Sequence, residues 1–374
     1  MKKIALSLLV ILMIVTLISC KKDDTDNNGS AIKDYVEDDN KQNDITPTPT
    51  PTNTPEVEIT EVPEEISREG QMRSFLTGLW VPEEVGKKRP YAIQFSNFKT
   101  VSNQSGIEQA DILYEALVEG GITRLLGIGE NFTGDRIGSV RSSRHYYASF
   151  ADEYDAIYIH YGKTKYAVSK LKELKINNLD GETGTDGNVF YRDKTMRAPH
   201  NAFTSLDRIL RGIDKRGYRT EYEEGYEPHY SFYKEDTDFE GDTSANKVTV
   251  KFSPYTSPYL VYNNEDKLYY RYQFGGVHKD SVTGKQLAFK NIIIQFVKQW
   301  DIDRNDYQTM EQKDATGSGY YISNGKKINI TWKKNEKNRF MRYYDETGQE
   351  LTMNPGKTFI AIFPNDRTKD VVLE

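Results

Sequence analysis

The residue types that could do chemistry crowd between positions 115 and 201 of this 374-residue chain. Arg124 follows the Gly120-Gly121 pair, and Arg141-Ser142-Ser143-Arg144-His145 stands at a predicted helix start. His160-Tyr161-Gly162 ends a predicted strand, while Arg192-Asp193-Lys194 and Arg197-Ala198-Pro199-His200-Asn201 occupy a loop before another helix. A guanidinium is a planar, permanently charged donor that takes carboxylate or phosphate through paired hydrogen bonds, so arginines gathered at element ends point to an anion site. Arg141 and Arg144 have the strongest case, because free N–H groups and the dipole at a helix N-terminus already favour an anion. The candidate ligand-binding set is therefore Arg124, Arg141, Ser142, Arg144, Arg192, His200 and Asn201. The competing reading of Arg141 and Arg144 is structural: ion pairs with Glu115, Glu119 or Asp152.

Familiar catalytic patterns are missing: the chain has no P-loop, no Gly-x-Ser-x-Gly and no His-Glu-x-x-His, and Gly127-Ile128-Gly129 lacks the third glycine of a dinucleotide fingerprint. An enzyme built on these residues would use His200 or Glu115 as general base. His200 follows Pro199 in a loop and is presented to solvent, whereas His160 closes an apolar strand and reads as a satisfied, semi-buried histidine. His145, His160 and His200 share no metal-ligand spacing, so neither a metal nor a cofactor is expected. Trp300, Trp332, Tyr320, Tyr321, Tyr343 and Tyr344 could stack on sugars, but alternating aromatics more often fill a small β core.

Cys20 is the chain's one cysteine. Lys2 and Lys3 precede an apolar run from Ile4 to Ile18, too short to span a bilayer and suited to a cleaved signal. Leu17-Ile18-Ser19-Cys20 resembles a bacterial lipobox, in which the thiol takes a diacylglyceryl group as a thioether. With no second cysteine an internal disulfide is excluded. The expected state is a globule held by lipid on the extracytoplasmic face of the cell membrane, without spanning it.

Residues 1–19 thus read as a lipoprotein signal peptide and 20–71 as a lipidated cysteine plus a tether. The tether is acidic and carries alternating Thr-Pro, so it cannot bury a core and favours extended conformations, reaching on the order of 50–100 Å. The charge sits there: residues 21–70 hold fourteen Asp/Glu against five Lys/Arg, and 71–374 come out near +1. A near-neutral globule argues against nucleic acid as a partner.

The globular part has an α+β pattern. Residues 72–216 form a layered α/β domain: a strand from Tyr91, two strands (Asp111–Val118 and Ile122–Gly129) joined at Gly120-Gly121, a helix capped by Ser142 or Ser143 and running to Tyr154, a strand at Ala156–His160, and helices at Thr164–Lys175 and Ser205–Arg216. Residues 217–246, with nine acidic side chains, read as a connector packed on the surface. Residues 247–374 are mostly antiparallel β, with strand runs at Val248–Phe252, Leu260–Tyr262, Leu268–Phe274, Lys290–Val297, Tyr320–Ser323, Lys327–Trp332, Phe340–Tyr344 and Thr358–Phe363.

Glu119-Gly-Gly-Ile-Thr-Arg124, Ile137-Gly-Ser-Val-Arg-Ser-Ser-Arg144 and Arg192-Asp-Lys-Thr-Met-Arg-Ala-Pro-His-Asn201 resemble signature stretches of the YerB-like lipoproteins of Gram-positive bacteria. Gly317-x-Gly-Tyr-Tyr and Asn354-Pro-Gly-Lys-Thr358 are similar to that family's C-terminal region. The resemblance implies a layered α/β fold with a β-rich C-terminal part and lipid anchoring; the family's domains are of unknown function. The leading expectation is a non-enzymatic binding protein, holding an anionic envelope ligand, a cell-wall polymer or an envelope protein. The alternative is an enzyme processing peptidoglycan or its precursors.

Overall fold

The computed structural model describes residues 68–101, 104–184, 188–241, 243–335 and 339–374. The expected signal peptide, Cys20 and nearly all of the tether lie outside the described residues. Among the described residues no helix is long and apolar enough to cross a membrane.

Five strands of the N-terminal half supply the frame of the site: β1 (Tyr91–Asn97), β2 (Ile112–Leu117), β3 (Thr123–Gly129), β4 (Ile157–His160) and β5 (Asn178–Asp180). Three helices accompany them, α1 (His145–Asp152), α2 (Lys165–Leu174) and α3 (Leu206–Arg216). The C-terminal half adds β6 (Lys247–Val250), β7 (Tyr259–Asn263), β8 (Leu268–Gln273), β9 (Asn291–Val297), β10 (Ala315–Ser323), β11 (Lys326–Lys334), β12 (Thr358–Pro364) and β13 (Val371–Leu373). The fold is α+β.

The two halves share one sheet. Among the described residues it has eleven strands, running through β11, β10, β9, β12, β2, β3, β1, β4 and β5, with short strands at Thr243–Ser244 and Arg342–Tyr344 on β11. β12, the penultimate long strand of the sequence, lies between β9 and β2 and is parallel to both. Every residue of β12 is buried, as a central strand covered on both faces requires. Phe359, Ala361 and Phe363 enter the core cluster that contains the small sheet of β6, β7, β8 and β13, whereas Ile360 and Ile362 join the cluster containing α1. The period-2 alternation of a strand thereby feeds two cores from one segment.

Local signals behave as their chemistry dictates. Gly120 and Gly121 both have φ of +69°, a conformation costly for other L-residues, and Val118 N–H donates to Ile122 C=O across the turn at 2.8 Å. Thr164 and Ser205 cap α2 and α3 by accepting from Ala167 N and Arg208 N. The cap of α1 departs from expectation: Arg144 stands at the cap position, and neither Ser142 nor Ser143 supplies a side-chain cap. The connector also departs from a surface strap. His229 and Tyr230 are buried, Ser231–Phe232 pair with Thr352–Met353, and Arg342 donates to the His229 carbonyl.

Candidate functional site

Strand directions bring the candidate residues to one edge. β1 runs parallel to β4, β4 parallel to β5, and β3 is antiparallel to both β1 and β2. The carboxyl ends of β1, β2, β4 and β5 therefore meet the amino end of β3, the edge where open α/β sheets bind ligands. Arg124, the second residue of β3, stands opposite Ser96 near the end of β1. The Arg141–Ser143 segment is pinned between the ends of β1 and β4: Arg141 N–H donates to Gln94 C=O, Tyr161 N–H to Arg141 C=O, and Ser143 N–H to Gly162 C=O, at 2.8, 3.0 and 2.9 Å.

The side chains converge on that segment. Arg124 is buried and donates to the Ser142 carbonyl. Arg144 donates to the Ser142 and Ser143 carbonyls and grips Glu119 with Nε and Nη2, at 2.5 and 2.6 Å. Arg141 Nη1 donates to Pro199 C=O at 2.8 Å. Arg192 Nη1 donates to Asn201 Oδ1 at 2.8 Å and its guanidinium lies 4.2 Å over the Tyr161 ring. His200 sits beside them, with Nδ1 3.3 Å from Ser96 Oγ and its ring stacked on Phe98 at 5.3 Å.

The electrostatics record the crowding. Burial, then the charges of Arg144 and Arg141, push the Arg124 guanidinium down to about 9. Arg141 is lowered by burial and by Arg144 and Arg192. His200 is lowered by burial and by Arg141 and Arg124, so its imidazole is neutral at neutral pH. Among the described residues, Arg124, Arg141 and Arg192 have no carboxylate at ion-pair distance; Glu119 is ion-paired with Arg144, and its charge also reaches Arg124 and Arg141. Of the structural pairings expected for Arg141 and Arg144, that of Arg144 with Glu119 occurs, and those with Glu115 or Asp152 do not occur among the described residues.

Glu115 is corrected as a candidate base. It is wholly buried, bound by Arg271 Nη2 at 2.6 Å, Asn97 Nδ2 at 3.1 Å and Thr123 Oγ1 at 2.6 Å, and a carboxylate so enclosed has no access to a substrate. His160 is likewise occupied, by Gly162 C=O at 2.9 Å and Asn178 Oδ1 at 3.2 Å. Of the C-terminal aromatics, Trp332, Tyr321 and Tyr343 are core residues, and Trp300 is 45% exposed. Sequence reasoning missed Ser96 and Phe98; the signal available was a polar Ser-Asn pair closing an otherwise apolar strand.

Beyond Phe98, which stacks on His200, opens a cleft of about 740 Å³, walled by Asn97, Phe98, Gly120 and Ile122 from one half and by Pro254, Tyr255 and Phe274 from the other.

With this arrangement in view, comparison defines the class: the chain belongs to the family described as protein of unknown function DUF3048, its N-terminal domain matching residues 76–219 and its C-terminal domain residues 248–360. A Bacillus subtilis (strain 168) protein named as a lipoprotein, YerB, is 30% identical over 298 residues, spanning 79% of this chain and 87% of the relative. The crystal structure of YerB protein from Bacillus subtilis superposes with a TM-score of 0.72 at 28% identity, over 81% of this chain and 99% of that one.

Proposed function

We propose that this chain is an envelope lipoprotein, anchored through lipid on Cys20 at the extracytoplasmic face of the cell membrane, that binds an anionic group through Arg124, Arg141, Arg144 and Arg192. His200, Asn201 and the Ser142 backbone frame the site. One observation carries the reading: Arg124, Arg141 and Arg144 lie within electrostatic reach of one another around a fixed loop, Arg192 within reach of Arg141, and among the described residues only Arg144 of the four is ion-paired, with Glu119. Like charges held close at the edge of a fold are costly unless a counter-charge arrives, and a phosphate or carboxylate offers one with the matching bidentate geometry. The relative's name as a lipoprotein supports the anchoring.

The test is titration of the purified globular part with inorganic pyrophosphate by calorimetry. Saturable binding that weakens about tenfold or more in Arg141→Ala supports the site. Absence of binding to pyrophosphate, phosphate and a muropeptide carboxylate alike refutes it.

The second reading, an enzyme acting on peptidoglycan or its precursors, retains one observation: neutral His200 lies 3.3 Å from Ser96 Oγ, close enough to accept a proton. Turnover of wall precursors that disappears in both His200→Gln and Ser96→Ala is its criterion.

A further inference from the structure

We infer that the anion held by the arginines is the head of an amphiphile, a phosphate ester of a long hydrocarbon chain drawn from the membrane, whose tail lies in the cleft beside them; this rests on the anion-site reading.

One residue, Phe98, joins the cleft to the arginine cluster through His200; the four arginines themselves stand outside the cleft lining. Phe98, at the end of β1, lines the cleft and stacks on His200. Gly120, which also lines the cleft, follows Glu119, the partner of Arg144. Ile122 precedes Thr123 and Arg124 by one and two residues and lines the cleft from the start of the same strand. A molecule held by the guanidinium groups and passing Phe98 would enter a space of about 740 Å³, well within the size range of small-molecule sites.

The chemistry of the two regions differs sharply. Phe98, Ile122, Pro254, Tyr255 and Phe274 supply a mainly apolar lining, and Phe98 and Tyr255 are 38% and 69% exposed. Large apolar side chains left in water at a concave site are stabilised by burying hydrocarbon. Lys99, exposed and also in the lining, adds a cation. The opposite wall is held in place: Ser253 Oγ donates to Gly121 C=O, and Ser253 Oγ accepts from Tyr255 N and Thr256 N at 3.0 and 3.1 Å. Positive charge at one end and apolar surface at the other complement a molecule with an anionic head and an apolar tail. A free phosphate would leave the cleft unused, and a neutral apolar molecule would leave the arginines uncompensated.

The experiment compares ethyl phosphate, geranylgeranyl phosphate and geranylgeraniol, each kept below its aggregation limit, in calorimetric titrations of the globular part. The tail is expected to strengthen binding at least about tenfold over ethyl phosphate, and Tyr255→Asp is expected to collapse that ratio. Ile122→Ser serves as the second cleft variant. Equal affinities for the two phosphates overturn this inference and leave the anion site standing. Loss of binding to both phosphates overturns both. Geranylgeraniol binding as tightly as its phosphate also overturns it, because the head would then contribute nothing.

Discussion

Arg271 on β8 places Nη2 2.6 Å from Glu115 Oε2 on β2, with both side chains wholly excluded from solvent, and so joins the small sheet to the large one. The pair is embedded: Asn97 and Thr123 also donate to Glu115, Arg271 donates to Gln273 Oε1 at 2.9 Å, and His278 links the arginine to Gln104. Removing one partner strands the other charge in the interior. Glu115→Ala is expected to lose about 3–5 kcal/mol in denaturant unfolding, with urea melts as the measurement. A loss within the error of the melts would show that water reaches Arg271.

The strands were largely legible because their alternation is a local property, and Thr358–Phe363 reads as a strand from its residues alone. Its position between β9 and β2 was not, since sheet order is decided by long-range pairing that no window of sequence contains. The arginines were legible as a group because each stands at an element end. Their partners were harder to see: Ser96 and His200 meet across 104 positions. The α1 cap was misread because Arg144 is drawn to Glu119, which fixes the backbone without help from Ser142 or Ser143. In the connector, the acidic surface residues mask His229, which enters the core to bind Met341 C=O at 2.7 Å.

All five histidines are held toward the neutral form, chiefly by burial: His145 down to about 4, His229 to about 3, and His160, His200 and His278 lowered from their usual value. The unfolded chain binds their protons first, so the stability they contribute is complete above about 6.5 and is lost as pH falls through the folded values. Glu130 opposes this, since burial and Asp111 raise it to about 8 and its protonation favours the fold on acidification. Asp111, Asp152 and Glu153, also raised by burial, act in the same sense as Glu130, and the histidines' share of the acid response is a decline that these carboxyls offset. His145→Gln, which keeps a polar end toward Thr309, should flatten the decline by up to about 1.4 kcal/mol per pH unit. Urea midpoints measured across this acid range test it; an unchanged slope would mean that His145 titrates normally.

Cys20→Ser should abolish lipid attachment, because no other side chain at the predicted cleavage site can form the thioether. Metabolic labelling with a fatty acid, followed by detergent partitioning, reads this directly. Equal label in wild type and variant would place the lipid elsewhere or remove it from the account.

Arg141 and Arg144 separate binding from structure. Arg144 satisfies Glu119 and two carbonyls, so Arg144→Ala is expected to lose about 1.5–3 kcal/mol of stability through groups left without their charged donor. Among the described residues the Arg141 side chain has one hydrogen bond, to Pro199 C=O, and it sits among like charges that lower its own pKa. Its removal relieves repulsion as it deletes that bond, and Arg141→Ala should melt within about 1 kcal/mol of wild type. Saturating pyrophosphate should raise the wild-type midpoint, by about 2.7 kcal/mol of stability at a hundredfold excess over Kd, and raise it far less in Arg141→Ala. If Arg141→Ala instead melts as low as Arg144→Ala, the four arginines are a scaffold for the loop and not a site.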